Sequence, residues 1–129
     1  MSMQALVEVP RVASEAKEWR DVCAVDDVFP GTGVAALIDG EQIAIVRTRD
    51  GLFAALSNFD PFSNAFVIAR GIVGDRAGVP RIASPIYRQS FCLQTGECFE
   101  DREVRLEVFP IRVLGGRIQV ALTTAIRAE

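Results

Sequence analysis

The side chains best suited to chemistry in this chain are three cysteines, Cys23, Cys92 and Cys98, and the 129 residues around them include no histidine. Histidine is the commonest general base and metal ligand. Its absence therefore removes Ser–His and Cys–His nucleophile systems, most zinc sites and histidine-ligated haem. Three thiolates are one short of the four that hold an iron–sulfur cluster without imidazole. The odd count, with an N-terminus that has no basic, apolar, small-residue leader, argues against secretion and disulfides and for a cytoplasmic chain. Cys92 and Cys98 flank Thr95-Gly96, where a two-residue turn pairs Leu93 with Cys98 and Cys92 with Phe99, leaving the sulfurs on opposite faces and unable to bridge. Cys23, after Trp19 in the first strand, reads as small apolar core material, and Asp26 and Asp27 as turn acids.

Other candidate chemistry is weaker. Gly71, Gly74 and Gly78 with Asp75 suggest a phosphate cradle, but Pro80 follows closely and no helical pattern begins, so a flexible insertion is the reading. Thirteen of the fourteen basic residues are arginine. Arg70, Arg81 and Arg88 suit an anion or a partner's carboxylate if they converge, and are solvated surface charges if they do not. A net charge of −3 and a pI near 5.0 argue against a nucleic-acid partner. With half the residues hydrophobic and no apolar run near the ~18 needed to span a bilayer, the chain is a globular domain without a membrane anchor.

The elements that must carry these residues are strands. Val34–Ile38 and Gln42–Val46 flank Asp39-Gly40, a type I′ turn signal, and the pattern recurs about Asp50-Gly51 and Gly115-Gly116, and more weakly at Thr95-Gly96. No sustained 3.6-residue apolar stripe exists, so the class is all-β, a small antiparallel barrel or sandwich that hides its edges. We expect one domain over residues 17–123, a loose arm over 1–16, a tail over 124–129, and a loop-rich insert over about 58–98. The irregular stretch from Asn58 to Gln89 is long enough to be functional.

Ile43-Ala44-Ile45-Val46-Arg47, Asp50-Gly51-Leu52-Phe53-Ala54, a first loop at Asn58–Phe62, a second at Ala83–Tyr87, then Phe91, Thr95-Gly96 and Phe109-Pro110-Ile111-Arg112-Val113 together resemble a Rieske domain from about Trp19 to Val120. In that family the loops carry Cys-x-His and Cys-x-x-His around a two-iron cluster. Here the four positions read Asn58, Asp60, Ser84 and Tyr87. Such a cluster-free pattern, with Leu56–Ser63, Arg70–Asp75 and Ala83–Tyr87 in order, is similar to the small subunits of cytoplasmic NAD(P)H-dependent assimilatory nitrite reductases.

That resemblance implies a non-catalytic accessory subunit with no cofactor of its own. It also implies a large-subunit partner carrying FAD, sirohaem and an iron–sulfur cluster, which uses NAD(P)H to reduce nitrite to ammonium. Asn58 and Asp60 would close Asx turns, Ser84 would do so more weakly, and Tyr87 would plug the old ligand position, its hydroxyl on a buried partner. Phe59, Phe62, Phe66, Ile68, Ile72 and Val73 form either a satellite core beneath the loops or a docking patch, Phe62 and Ile72 being the two expected to face outward, and Arg70 and Arg88 join Phe59, Phe62, Ile72 and Val73 as docking candidates in the second case. A stand-alone binding module on the same scaffold is the alternative function. A Rieske ferredoxin of an oxygenase is a third, opposed by the missing histidines.

Overall fold

The computed structural model describes residues 18–122, so the expected arm and tail lie outside the described residues. In chain order the strands are β1 (Glu18–Ala24), β2 (Thr32–Ile38), β3 (Glu41–Arg47), β4 (Phe53–Ser57), β5 (Phe59–Asp60), β6 (Ala65–Phe66), β7 (Ile72–Arg76), β8 (Val79–Ala83), β9 (Ser90–Cys92), β10 (Val108–Phe109), β11 (Ile111–Leu114) and β12 (Arg117–Leu122). Short 3-10 turns occupy Val25–Asp27 and Ile68–Arg70. Four antiparallel sheets result, ordered β1-β12-β11, β10-β4-β3-β2, β5-β6 and β7-β8-β9. No helix among the described residues is long and apolar enough to cross a membrane.

Strand β3 explains how the sheets stack. Its run Ile43-Ala44-Ile45-Val46 is buried on both faces, which is why it reads as continuous apolar sequence instead of an alternation. Ile43 and Ile45 join Val28, Ala55, Phe109, Ile118 and Val120 in one core against the β1-β12-β11 sheet. Ala44 and Val46 point the other way, into a second core with Leu56, Ile68, Val73, Ile82 and Phe91. The β5–β9 region is therefore a subdomain packed on the back of the central sheet.

Two hairpins form as their sequences require. Asp39 and Gly40 sit at φ 51° and 84°, Gly115 and Gly116 at 60° and 77°, and each pair joins strands in two-residue register. The Asp50-Gly51 turn is longer: Thr48 N–H donates to the Leu52 carbonyl (2.8 Å) and the Thr48 hydroxyl to Asp50 (2.5 Å), making a loop of Arg49–Gly51. At Thr95-Gly96 the register differs from expectation by two residues. Phe91 pairs with Cys98, and Cys92 N–H donates to the Glu97 carbonyl at 2.9 Å. Within the longer loop Gly96, at φ 82°, passes so close to the Leu106 carbonyl that no Cβ fits there. A slip of two preserves the faces, and Cys23, Cys92 and Cys98 are free.

The supposed flexible insertion is an ordered hairpin. β7 and β8 pair from Ile72↔Ala83 to Arg76↔Val79 around Ala77-Gly78, at φ 53° and 85°. Alanine in place of Asn or Asp, and Pro80 within the strand, hide the turn from a sequence reading.

Candidate functional site

Strand β4 delivers the chain into the first loop at Asn58, which is 2% exposed. Its side chain does not close a local turn. The Asn58 Oδ1 accepts the Ala69 N–H (2.7 Å), eleven residues on, while its Nδ2 donates to Gln42 Oε1 (3.2 Å). Asn58 thereby ties the Ile68–Arg70 turn to the central sheet. Asp60 follows on β5, wholly buried, with Phe62 N–H on Oδ1 (2.9 Å) in the expected Asx turn.

The other Asp60 oxygen reaches further. Oδ2 accepts the Ser63 hydroxyl (2.9 Å) and the hydroxyl of Ser84 (2.5 Å), which stands at the start of the second loop and is 1% exposed. Two loops separated by 24 residues are thus joined through one buried carboxylate held by three hydrogen bonds. The second loop closes on itself: Ser84 N–H donates to the Gln89 carbonyl (2.8 Å) and Arg88 N–H to the Ser84 carbonyl (3.1 Å).

That closure overturns the plug expected of Tyr87. Backbone bonds already satisfy the loop, and Tyr87 lies 61% exposed on it. Of the docking candidates, Phe62 is half-buried, its ring 6.2 Å from that of Phe91, and Val73 is buried, so both belong to the core. Phe59 is half-buried, edge-on to the exposed Phe66 at 5.2 Å. Ile72 faces outward as expected, 67% exposed, with Arg70 and Arg88. Arg81 donates from Nε to the Asp75 carbonyl (3.5 Å) along its own hairpin, and among the described residues no side-chain hydrogen bond links it to Arg70 or Arg88.

Beneath the second loop, Glu100 accepts the Ser90 N–H (2.9 Å) and hydroxyl (3.0 Å) and pairs with Arg76 (3.1 Å). Burial acts to raise this carboxyl, but the Ser90 donors and the Cys98 thiol hold it below the ordinary value. Burial likewise acts to raise the Cys92 thiol, yet hydrogen bonds from Thr95 and the Gln94 and Thr95 amides bring it below the usual thiol range. Burial pushes Cys98 and Cys23 up.

The donor atoms at the four loop positions are oxygens and an amide nitrogen, whereas a Rieske cluster takes two thiolates and two imidazoles. Both Asp60 oxygens are already occupied by protein donors. Among the described residues no group of three or more His, Cys, Asp or Glu could hold a metal ion. The residues present do not fit a two-iron cluster.

Comparison with known proteins places this geometry. The family model of the Rieske-like [2Fe-2S] domain matches residues 18–121. The nitrite reductase (NADH) small subunit of Salmonella typhimurium is 42% identical over 105 residues, covering 80% of this chain and 96% of that protein. A solved structure assigned as the NADH-dependent nitrite reductase small subunit of Mycobacterium tuberculosis superposes with a TM-score of 0.79 at 48% identity, over 82% of this chain and 96% of that one. The nitrite reductase [NAD(P)H] large subunit of Klebsiella oxytoca is 32% identical over 108 residues, which are 84% of this chain but 11% of that protein.

Proposed function

The chain belongs to the Rieske-like domain family and, within it, to the nitrite reductase (NADH) small subunits, and from that premise we propose that it is the non-catalytic small subunit of a cytoplasmic NAD(P)H-dependent nitrite reductase. In this reading the large subunit holds FAD, sirohaem and an iron–sulfur cluster and carries out the reduction of nitrite to ammonium. The small chain holds no cluster and moves no electrons.

The observation that carries the reading is the Asp60–Ser84 hydrogen bond across the two loops. In a cluster-bearing domain, iron–ligand bonds tie the loops together. Here a carboxylate and a hydroxyl occupy two of those positions and bond to each other, so the fold keeps its loop tip without iron. An acid–base role for Asp60 with Tyr87 is opposed by their surroundings, one wholly buried and already triply bonded, the other on the surface. The Klebsiella relative adds support, because there a segment like this chain lies within the large subunit itself.

The test is reconstitution. The large subunit alone is expected to reduce nitrite with an artificial electron donor, and NAD(P)H-driven turnover or complex stability is expected to rise when this chain is added. Full NAD(P)H-driven activity and stability of the large subunit without it, and no binding between the two, would favour the stand-alone module.

A further inference from the structure

The sequence segregates its charge along the chain. From Pro61 to Gly96 there are four arginines and one acid, Asp75, a net charge of +3 within a chain of −3, which leaves −6 on the remaining residues. The basic stretch is the one that builds the loop tip.

At that tip the backbone brings the segments that carry apolar and basic residues close to one another. Ile72 pairs with Ala83, the residue before Ser84, and Gly71 packs against the Ala83 carbonyl so closely that a Cβ has no room. Arg70 and Ile72 are thereby held at the base of the loop that carries Ile86, Tyr87 and Arg88. Ile72, Tyr87 and Ile86 are 67%, 61% and 46% exposed. Among the described residues the ion pairs engage Arg20, Arg76 and Arg117, and neither Arg70 nor Arg88 takes part in one. Among the described residues Arg88 is also the one arginine at positive φ (68°), a conformation that long side chains seldom adopt and that clusters at binding loops.

We infer that this face, an apolar centre of Ile72, Ile86 and Tyr87 rimmed by Arg70 and Arg88, docks on an acid-rimmed apolar surface of the large reductase subunit. The inference rests on the subunit reading above. The partner's identity follows from the Klebsiella protein, in which the corresponding segment and the large subunit are one polypeptide. Its charge follows from the free guanidiniums. A second copy of this chain is a poor occupant, because tip-to-tip contact would set unpaired arginines against each other. Two other exposed apolar residues, Leu37 and Leu52, have an acid two residues away, Asp39 and Asp50, and no free arginine beside them as Ile72 and Tyr87 do.

The experiment measures binding of the full chain to the intact large subunit at low and high salt. Arg70→Glu and Arg88→Gly are each expected to weaken binding at least tenfold at low salt, with the difference shrinking at high salt. Ile86→Asp is expected to weaken it tenfold at both. Leu37→Asp and Leu114→Asp, on β2 and β11, are expected to stay within twofold of the parent. Arg88→Gly keeps the test clear of folding, since glycine accepts the positive φ without strain. Parental binding by Arg88→Gly and Ile86→Asp, or loss on Leu37→Asp alone, would overturn the docking face and leave the subunit reading standing. Failure of the unaltered chain to bind would overturn the subunit reading and the face with it. Tip variants that dissolve a homodimer instead would assign the face to a second copy.

Discussion

Replacing Ser84 with alanine removes one hydroxyl from the bond that joins the two loops, and the consequence can be worked from the geometry. The Ser84 hydroxyl donates to Asp60 Oδ2 at 2.5 Å, and both residues are at or below 1% exposure. Hydrogen bonds to a carboxylate contribute about 1.5–3 kcal/mol net. Asp60 keeps the Phe62 amide and the Ser63 hydroxyl, so it is not left bare, and a loss of about 2 kcal/mol is expected. For a domain of about a hundred residues that lowers Tm by roughly 10 °C. Urea unfolding of the parent, Ser84→Ala, Asp60→Asn and the double variant measures it, with m unchanged and a coupling energy of about 1 kcal/mol or more between the two sites. A loss under about 0.5 kcal/mol with strictly additive variants would refute the idea that this bond replaces the metal.

Three further outcomes are expected. Glu100 has a folded pKa below its unfolded value, so its contribution to stability is present above the ordinary carboxylate range and is lost as pH falls through it; Glu100→Gln should flatten the acid limb of the stability–pH curve, and an unchanged limb would count against the Ser90 bonds. Gly71→Ala forces a Cβ against the Ala83 backbone and should destabilise the chain by about 1–3 kcal/mol in the same urea assay. Thiolate absorbance followed against pH should find the lowest-titrating thiol lost in Cys92→Ser and retained in Cys98→Ser, since only Cys92 has donors enough to outweigh its burial.

The central hairpins were legible because Asp39-Gly40 and Gly115-Gly116 demand positive φ at both turn residues. The outward position of Ile72 was legible too. What sequence could not supply was the long-range pairing. Nothing local says that Asn58 bonds Ala69 eleven residues away, or that Asp60 meets Ser84. Loop composition suggests exposure for Phe62, whereas the fold lays that ring against Phe91. A ligand position suggests a filling side chain at Tyr87, whereas backbone hydrogen bonds close its loop and leave the ring outside. The β7–β8 hairpin stayed hidden behind Gly74, Pro80 and an Ala-Gly turn, each of which weakens a strand signal.

The most direct test of a small subunit that holds its loop tip without metal is iron and acid-labile sulfide analysis of the chain purified anaerobically, alone and from its complex after separation of the large subunit. Background iron and no visible absorption band are expected in both, because Asn58, Asp60, Ser84 and Tyr87 offer neither thiolate nor imidazole. Near-stoichiometric iron with matching sulfide in the separated chain would contradict both the role given to Asp60 and Ser84 and the function built on it.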